Sequence, residues 1–316
     1  MEPKYDVLIL TTAKDFERVR CNYPRLIQNM YPRRVFFVGS TEVGRLAEEL
    51  REEFALGESV GFVEENTIVP FAEVHKVMMD ALGVTELARG VTGWYYQQFL
   101  KMNYSAFCDD DYYLVWDGDT VPCKPFTMFN EDGITPYLDL KKEYHEEYFR
   151  TIEKLFPGMH KSIEKSFISE HMLMKTSIMQ DLIKDIEDNE ELEGETFWEK
   201  IIRTIPKDKL TSNSFSEFET YGTYVSFKHT SAYRLRNWRS FRYAGSFFRP
   251  EEMTDEDYQW LSVDFDAASF EKNQWVKPEQ DNIFNNKKYQ QALSARKVLE
   301  IVQEEFKEGY LEVWDD

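Results

Sequence analysis

Asp117 and Asp119 are the side chains of this sequence best placed to do chemistry. They stand in Tyr112-Tyr113-Leu114-Val115-Trp116-Asp117-Gly118-Asp119-Thr120-Val121-Pro122, directly after an apolar run. Two carboxylates at this spacing offer hard oxygen ligands to Mg²⁺ or Mn²⁺, ions that keep open positions for substrate phosphates and water. Gly118 between them permits a tight turn and close approach of a ligand. The Asp-x-Asp spacing recurs at Asp109/Asp111, Asp255/Asp257 and Asp264/Asp266, as an acidic composition makes easy. Only Asp117 and Asp119 follow a buried-type strand and precede Thr-Val-Pro.

The elements that must position this pair are legible upstream of it. Tyr5 to Leu10 reads as a strand ending in the polar loop Thr11-Thr12-Ala13-Lys14-Asp15, with a helix over about 16–30. Arg34 to Val38 is a second strand closed by Gly39, followed by a helix over 42–54. Gly61-Phe62-Val63 then leads into an acidic turn at Glu64-Glu65-Asn66. This alternation predicts a parallel sheet flanked by helices, whose ligands gather at the carboxyl ends of the strands. A helix over 93–102 carries Gln97, Gln98 and Lys101, and the last two, three apart, share one side. There the lysine would meet a phosphate and the glutamines a sugar or base; otherwise they support a helix whose core is Trp94, Phe99 and Leu100. Downstream, the pattern predicts a charged helix over 143–165 broken at Pro157-Gly158, a strand over 167–174 and an acidic helix over 181–199.

Composition narrows the function classes. The 316 residues carry 58 acidic and 38 basic side chains, a net charge of −20, which excludes a nucleic-acid binder and a polybasic membrane anchor. With 42% hydrophobic and 16% aromatic residues the chain has ample core for one large domain or two joined halves. The apolar runs are strand-sized, so no transmembrane segment is expected, and the N-terminus shows no signal-peptide core. Cys21, Cys108 and Cys123 lack CxxC spacing, which argues against a disulfide framework or zinc site and for a cytoplasmic protein. The last 66 residues hold half of the net charge, setting off an acidic helical C-terminal extension, 251–316, from a main domain, 1–250. Arg234, Arg236, Arg239 and Arg242, interleaved with aromatics, would pair with a diphosphate or an acceptor's phosphate, or else neutralise that acidic stretch.

The segment YYLVWDGDTVPCKPF resembles the metal-binding stretch of GT-A glycosyltransferases. YDVLILTTAKDFERV, GWYYQQFLKM, FISEHMLMKT and SFSEFETYG, in the same order over roughly 5–245, are similar to a little-characterised group of bacterial GT-A-like proteins associated with surface-polysaccharide assembly. The resemblance implies an α/β fold of GT-A type, a Rossmann-like mixed sheet flanked by helices, with a donor half over about 1–120 and an acceptor half over about 121–250. It implies Mn²⁺ or Mg²⁺, a nucleotide-sugar donor (a UDP-sugar first), and a carbohydrate acceptor, free or lipid-linked, at the cytoplasmic side of a membrane or in the cytoplasm. By it, Asp119 is the principal metal ligand, Asp117 contacts ribose or the metal through water, and His229 is a third ligand. Thr11, Thr12 and Asp15 would hold base and ribose, or simply form a strand-end turn with a helix cap. His171 would touch donor or acceptor sugar, or serve as a structural histidine. Glu217, or second Glu219, would be the general base of an inverting transfer. A nucleotidyltransferase is the alternative enzyme, but Thr11 to Asp15 lacks the Gly-rich loop it needs; a non-catalytic sugar-binding protein is the third reading.

Overall fold

The computed structural model describes residues 3–30, 32–278, 283–306 and 309. Its central sheet holds β1 (Asp6–Leu10), β2 (Val35–Gly39), β3 (Val60–Glu64), β4 (Tyr112–Trp116) and β7 (His171–Lys175). They are ordered β3-β2-β1-β4-β7, and only the β4–β7 pair is antiparallel. The chain steps outward from β1 through β2 to β3, then returns to add β4 on the other side of β1. That reversal of strand order opens a crevice between the carboxyl ends of β1 and β4.

Alternation along each strand splits its side chains between two apolar layers. Leu8, Tyr113, Val115, Met172 and Met174 face one core, which is covered by α5 (Phe71–Leu82), α6 (Arg89–Asn103) and, further on, α7 (Glu146–Leu155), α8 (Thr176–Glu187), α9 (Phe197–Thr204) and α10 (Glu217–Lys228). Val7, Ile9, Leu114, Trp116 and Leu173 face the other, covered by α1 (Ala13–Val19), α2 (Tyr23–Met30) and α3 (Thr41–Glu53). A four-residue helix, α4 (Glu65–Ile68), replaces the expected acidic turn. Two small sheets complete the fold: β6 (Tyr137–Leu140) beside β8 (Arg234–Asn237), and β5 (Thr120–Pro122) and β9 (Ser240–Phe241) on either side of β10 (Ala267–Ser269).

Several expected elements are divided. The helix expected over 16–30 is α1 and α2 joined by a 3₁₀ turn at Arg20–Asn22. The charged segment 143–165 is helical only over α7, and the helix over 181–199 is the end of α8, a turn, and the start of α9 capped by Thr196. Ser214 to Gly222 holds the start of α10, with Ser216 as N-cap accepting from the Glu219 amide at 3.2 Å. Gly222 is required inside this helix, because a Cβ there would fall 2.2 Å from the Phe167 ring.

The segment set off as an acidic extension is built into the fold. β10 pairs with β5 and β9, and a third core joins Phe247, Leu261 and Phe265 to Leu299 and Val302. α11 (Asp255–Leu261) and the helices Lys287–Ala292 and Ala295–Phe306 are its helical part; residues 279–282, 307–308 and 310–316 of the extension lie outside the described residues. Among the described residues, no helix is long and apolar enough to cross a membrane.

Candidate active site

A cavity of about 880 Å³ opens at the crevice between β1 and β4. Its floor is the turn after β4. The Trp116 indole donates to the Thr120 carbonyl at 2.7 Å, the Thr120 amide donates to the Asp117 carbonyl at 3.0 Å, and the Phe270 amide donates to the Asp119 carbonyl at 2.8 Å. Gly118 packs so closely over β1 that a Cβ would lie 2.8 Å from Ile9 Cγ2. The two aspartates are thus presented by a turn tied to β1 beneath and to β10 beside it.

Each aspartate has its own cation. Lys101 on α6, almost fully buried, lies 3.1 Å from Asp117 and 2.8 Å from Glu217. Burial works against its charge, but Asp117 and then Glu217 outweigh burial and hold the ammonium above its ordinary range. Arg18 lies 3.7 Å from Asp119 and 3.5 Å from Asp15, and donates to the Phe270 carbonyl. Burial, then the neighbouring Asp117 charge, pushes the Asp119 carboxyl up to about 7 despite Arg18. Arg18 thus offsets the Asp119 charge only in part, and the charge that remains fits a divalent cation. Among the described residues no three His, Cys, Asp or Glu side chains converge on a single point. The donor set therefore suits an ion that completes its shell from a ligand's phosphates and water.

The cavity has two unlike ends. Toward β1–β3 it is lined by Leu10, Val38, Phe71, Trp94 and Tyr96, with Arg89 stacked over Phe71 at 3.8 Å and paired to Glu65 at 3.2 Å. Around the aspartates it is lined by Arg18, Arg242, Glu170, Glu271 and Lys272. Arg242 pairs with Glu271 at 2.6 Å and with Glu143 at 3.6 Å. Of the three non-glycine residues with positive φ among the described residues, two line this cavity: Glu170 at 62° and Asn213 at 53°. Strained backbone kept at a cleft is a common mark of a functional site.

Eight side chains singled out in sequence for chemistry line the cavity together: Thr11, Thr12, Asp15, Gln97, Lys101, Asp117, Asp119 and Arg242. Thr12 and Asp15 also form the cap of α1, the threonine hydroxyl accepting from the Asp15 amide at 3.2 Å and donating to its carboxylate at 2.8 Å. The others lie elsewhere. Gln98 faces away, accepting from the Glu217 amide at 3.0 Å and fastening α10 to α6. Glu217 is buried, does not line the cavity and pairs with Lys101, which does. Glu219 is buried against Ser166, whose hydroxyl donates to it.

His171 and His229 are not brought to the aspartates. His171 is fully buried, bonded to Asp139 at 2.7 Å and to the Ser169 carbonyl at 2.8 Å, and stacked on Trp116. The register of β7 explains this: His171 stands opposite Trp116 and two residues before Leu173, so it shares the sheet face of both. His229 follows the last turn of α10, a helix whose first turn carries Glu217; the intervening helix is about 18 Å long at 1.5 Å per residue. Of the four arginines, only Arg242 lines the cavity. Arg236 pairs with buried Asp139 at 2.6 Å and Arg239 with Asp266 at 3.4 Å. Arg18, Glu170, Glu271 and Lys272 were missed in sequence. Helical spacing from Asp15 would have found Arg18, but nothing local marks the other three.

Among solved structures, the chain is similar to mouse xyloside xylosyltransferase 1, at 13% identity over 87% of this chain and 100% of that one, with a TM-score of 0.47. It is similar to the bifunctional glycosyltransferase WbbM at 12% identity over 95% of this chain and 52% of that one, TM-score 0.46. The corresponding values for the galactosyltransferase LgtC are 12%, 95% and 95%, and 0.38. No curated protein matches the sequence. The family described as "Family of unknown function (DUF6492)" matches residues 14–308, including the segment that brings Glu271 and Lys272 to the cavity, and the chain belongs to that family.

Proposed function

We propose that this protein is a metal-dependent glycosyltransferase that moves a sugar from a nucleotide-sugar donor to a hydroxyl acceptor. The observation that carries the reading is the Asp117-Gly118-Asp119 turn facing a cavity with an aromatic end and a charged end. The aromatic end, with Phe71, Trp94 and Tyr96, suits a nucleoside, while Arg18, Arg242 and Lys272 suit its diphosphate. Asp119 and Asp117 would hold a divalent ion, which would neutralise the charge left on the departing nucleotide.

The chain's own residues do the positioning. Lys101, fixed by Glu217, holds Asp117 in place, and Arg18 holds Asp119 against α1. Lys272 is exposed at the rim, where it can meet a phosphate. The loop after β1 carries no glycine and uses Thr12 as a helix cap, which disfavours triphosphate binding and hence a nucleotidyltransferase. By the motif resemblance, a UDP-sugar is the first donor to try, and surface polysaccharide or glycoconjugate is the product class.

Thermal shift with UDP, GDP, CDP and dTDP, each with and without Mn²⁺, tests this. A ligand at 100 times its Kd adds about 2.7 kcal/mol of stability. One nucleotide should raise the Tm in a Mn²⁺-dependent manner, and Asp119→Asn should abolish the shift. No shift with any nucleotide sinks the reading.

A further inference from the structure

Glu170 is a further carboxylate of the cavity wall, with partners of its own. It lines the cavity beside Asp117, and its own carbonyl accepts from the Asp117 amide at 2.9 Å. Its backbone sits in the left-handed region, φ 62°, which a glycine would occupy without strain. Its side chain is nevertheless fixed at both oxygens. Oε1 accepts from the ammonium of buried Lys141 at 2.6 Å, and Oε2 accepts from the Ser240 hydroxyl at 2.9 Å. The Lys141 ammonium also donates to Ser240 at 2.8 Å, closing a three-residue ring contributed from the residue after β6, the residue before β7, and β9.

Such a ring holds a carboxylate in one orientation at the wall of a cavity while leaving it lone pairs to offer. A carboxylate oxygen has more acceptor capacity than these bonds use. What it can take from the cavity is hydrogen-bond donors, and it repels a second carboxylate. Resting on the donor reading above, we infer that Glu170 receives hydroxyl groups of the donor's glycosyl unit and selects a neutral, hydroxyl-bearing sugar over a uronic acid. Lys141 and Ser240 are the positioning residues behind it.

The contrast between a nucleoside diphosphate and its sugar ester tests this, because only the ester reaches Glu170. Calorimetry in Mn²⁺ with the tightest-binding of UDP, GDP, CDP and dTDP, its hexose ester and its uronate ester would compare the full chain with Glu170→Gln. Wild type should bind the hexose ester at least tenfold more tightly than the uronate. Glu170→Gln should keep its diphosphate affinity within about threefold, lose at least tenfold for the hexose ester, and discriminate less between the two esters. The double variant E170Q/K141M, which leaves no unpaired buried charge, should repeat that pattern and guards against misfolding as the cause. Equal loss for diphosphate and ester in both variants, or loss for neither, overturns the inference while the donor reading stands. Failure of wild type to bind any of the diphosphates overturns both.

Discussion

Lys101 carries more of the site than any other single residue, since its one ammonium balances a carboxylate exposed to the cavity and another that is buried. Substituting Lys101→Met strands Glu217 with a buried, uncompensated charge, a change that typically costs about 3–5 kcal/mol. Lys101→Met/Glu217→Gln should recover most of the lost Tm in thermal melts. It should not recover nucleotide binding, because Asp117 remains unheld; full recovery of both would show that Lys101 is structural only. Glu219 gives a prediction in pH. Burial raises its carboxyl above the ordinary 4.5, with Ser166 acting in the opposite direction. A folded-state value above the unfolded one means the native state holds the proton more tightly. Its contribution is therefore fullest below about pH 4.5 and declines as pH rises through the folded value. Glu219→Gln, which can still accept from Ser166, should flatten the fall of Tm above about pH 4.5. Parallel Tm profiles for the two proteins would refute that account.

At the scale of elements, α10 is the piece whose start decides the site. Ser216 caps it, Glu217 in its first turn meets Lys101, and Gly222 lets it lie against Phe167. Ser216→Ala should cost about 1 kcal/mol in denaturant unfolding, the usual worth of an N-cap. Gly222→Ala should cost at least as much, about 1–3 kcal/mol, since its Cβ must displace a buried ring. A Gly222→Ala protein as stable as wild type would contradict the packing described. The aspartate turn depends in the same way on β10, whose Ser269 meets Thr120 at 2.7 Å and whose neighbour Phe270 binds the Asp119 carbonyl.

For the molecule as a whole, the acidic C-terminal stretch is structure as well as charge. It completes the sheet with β5, contributes a core of its own, and sends Glu271 and Lys272 into the cavity. A chain ending at residue 250 should therefore lose cooperative thermal unfolding and Mn²⁺-dependent nucleotide binding. A truncated protein that melts cooperatively and binds as the full chain does would return the stretch to the status of an appendage.

The local pattern was enough for β1, β2, β4 and the turn after β4. Buried parallel strands announce themselves as short apolar runs, and a polar break at their ends places the ligand side. Hence Asp117, Asp119, Thr11 and Asp15 could be named from sequence alone. Lys101 could also be named, because helical spacing is a local property. Tertiary structure decided which carboxylates face the cavity. Glu217 and Glu219 were implied by the motif resemblance, yet α10 buries both away from the cavity, while the unremarked Glu170 lines it from a left-handed residue just before β7. His171, for which a structural role was the other reading, is fixed by its register opposite Trp116 and its bond to Asp139. Glu271 was hidden because it meets Asp119 through strand pairing across some 150 residues, and pairing of that range leaves no periodicity in the sequence to find.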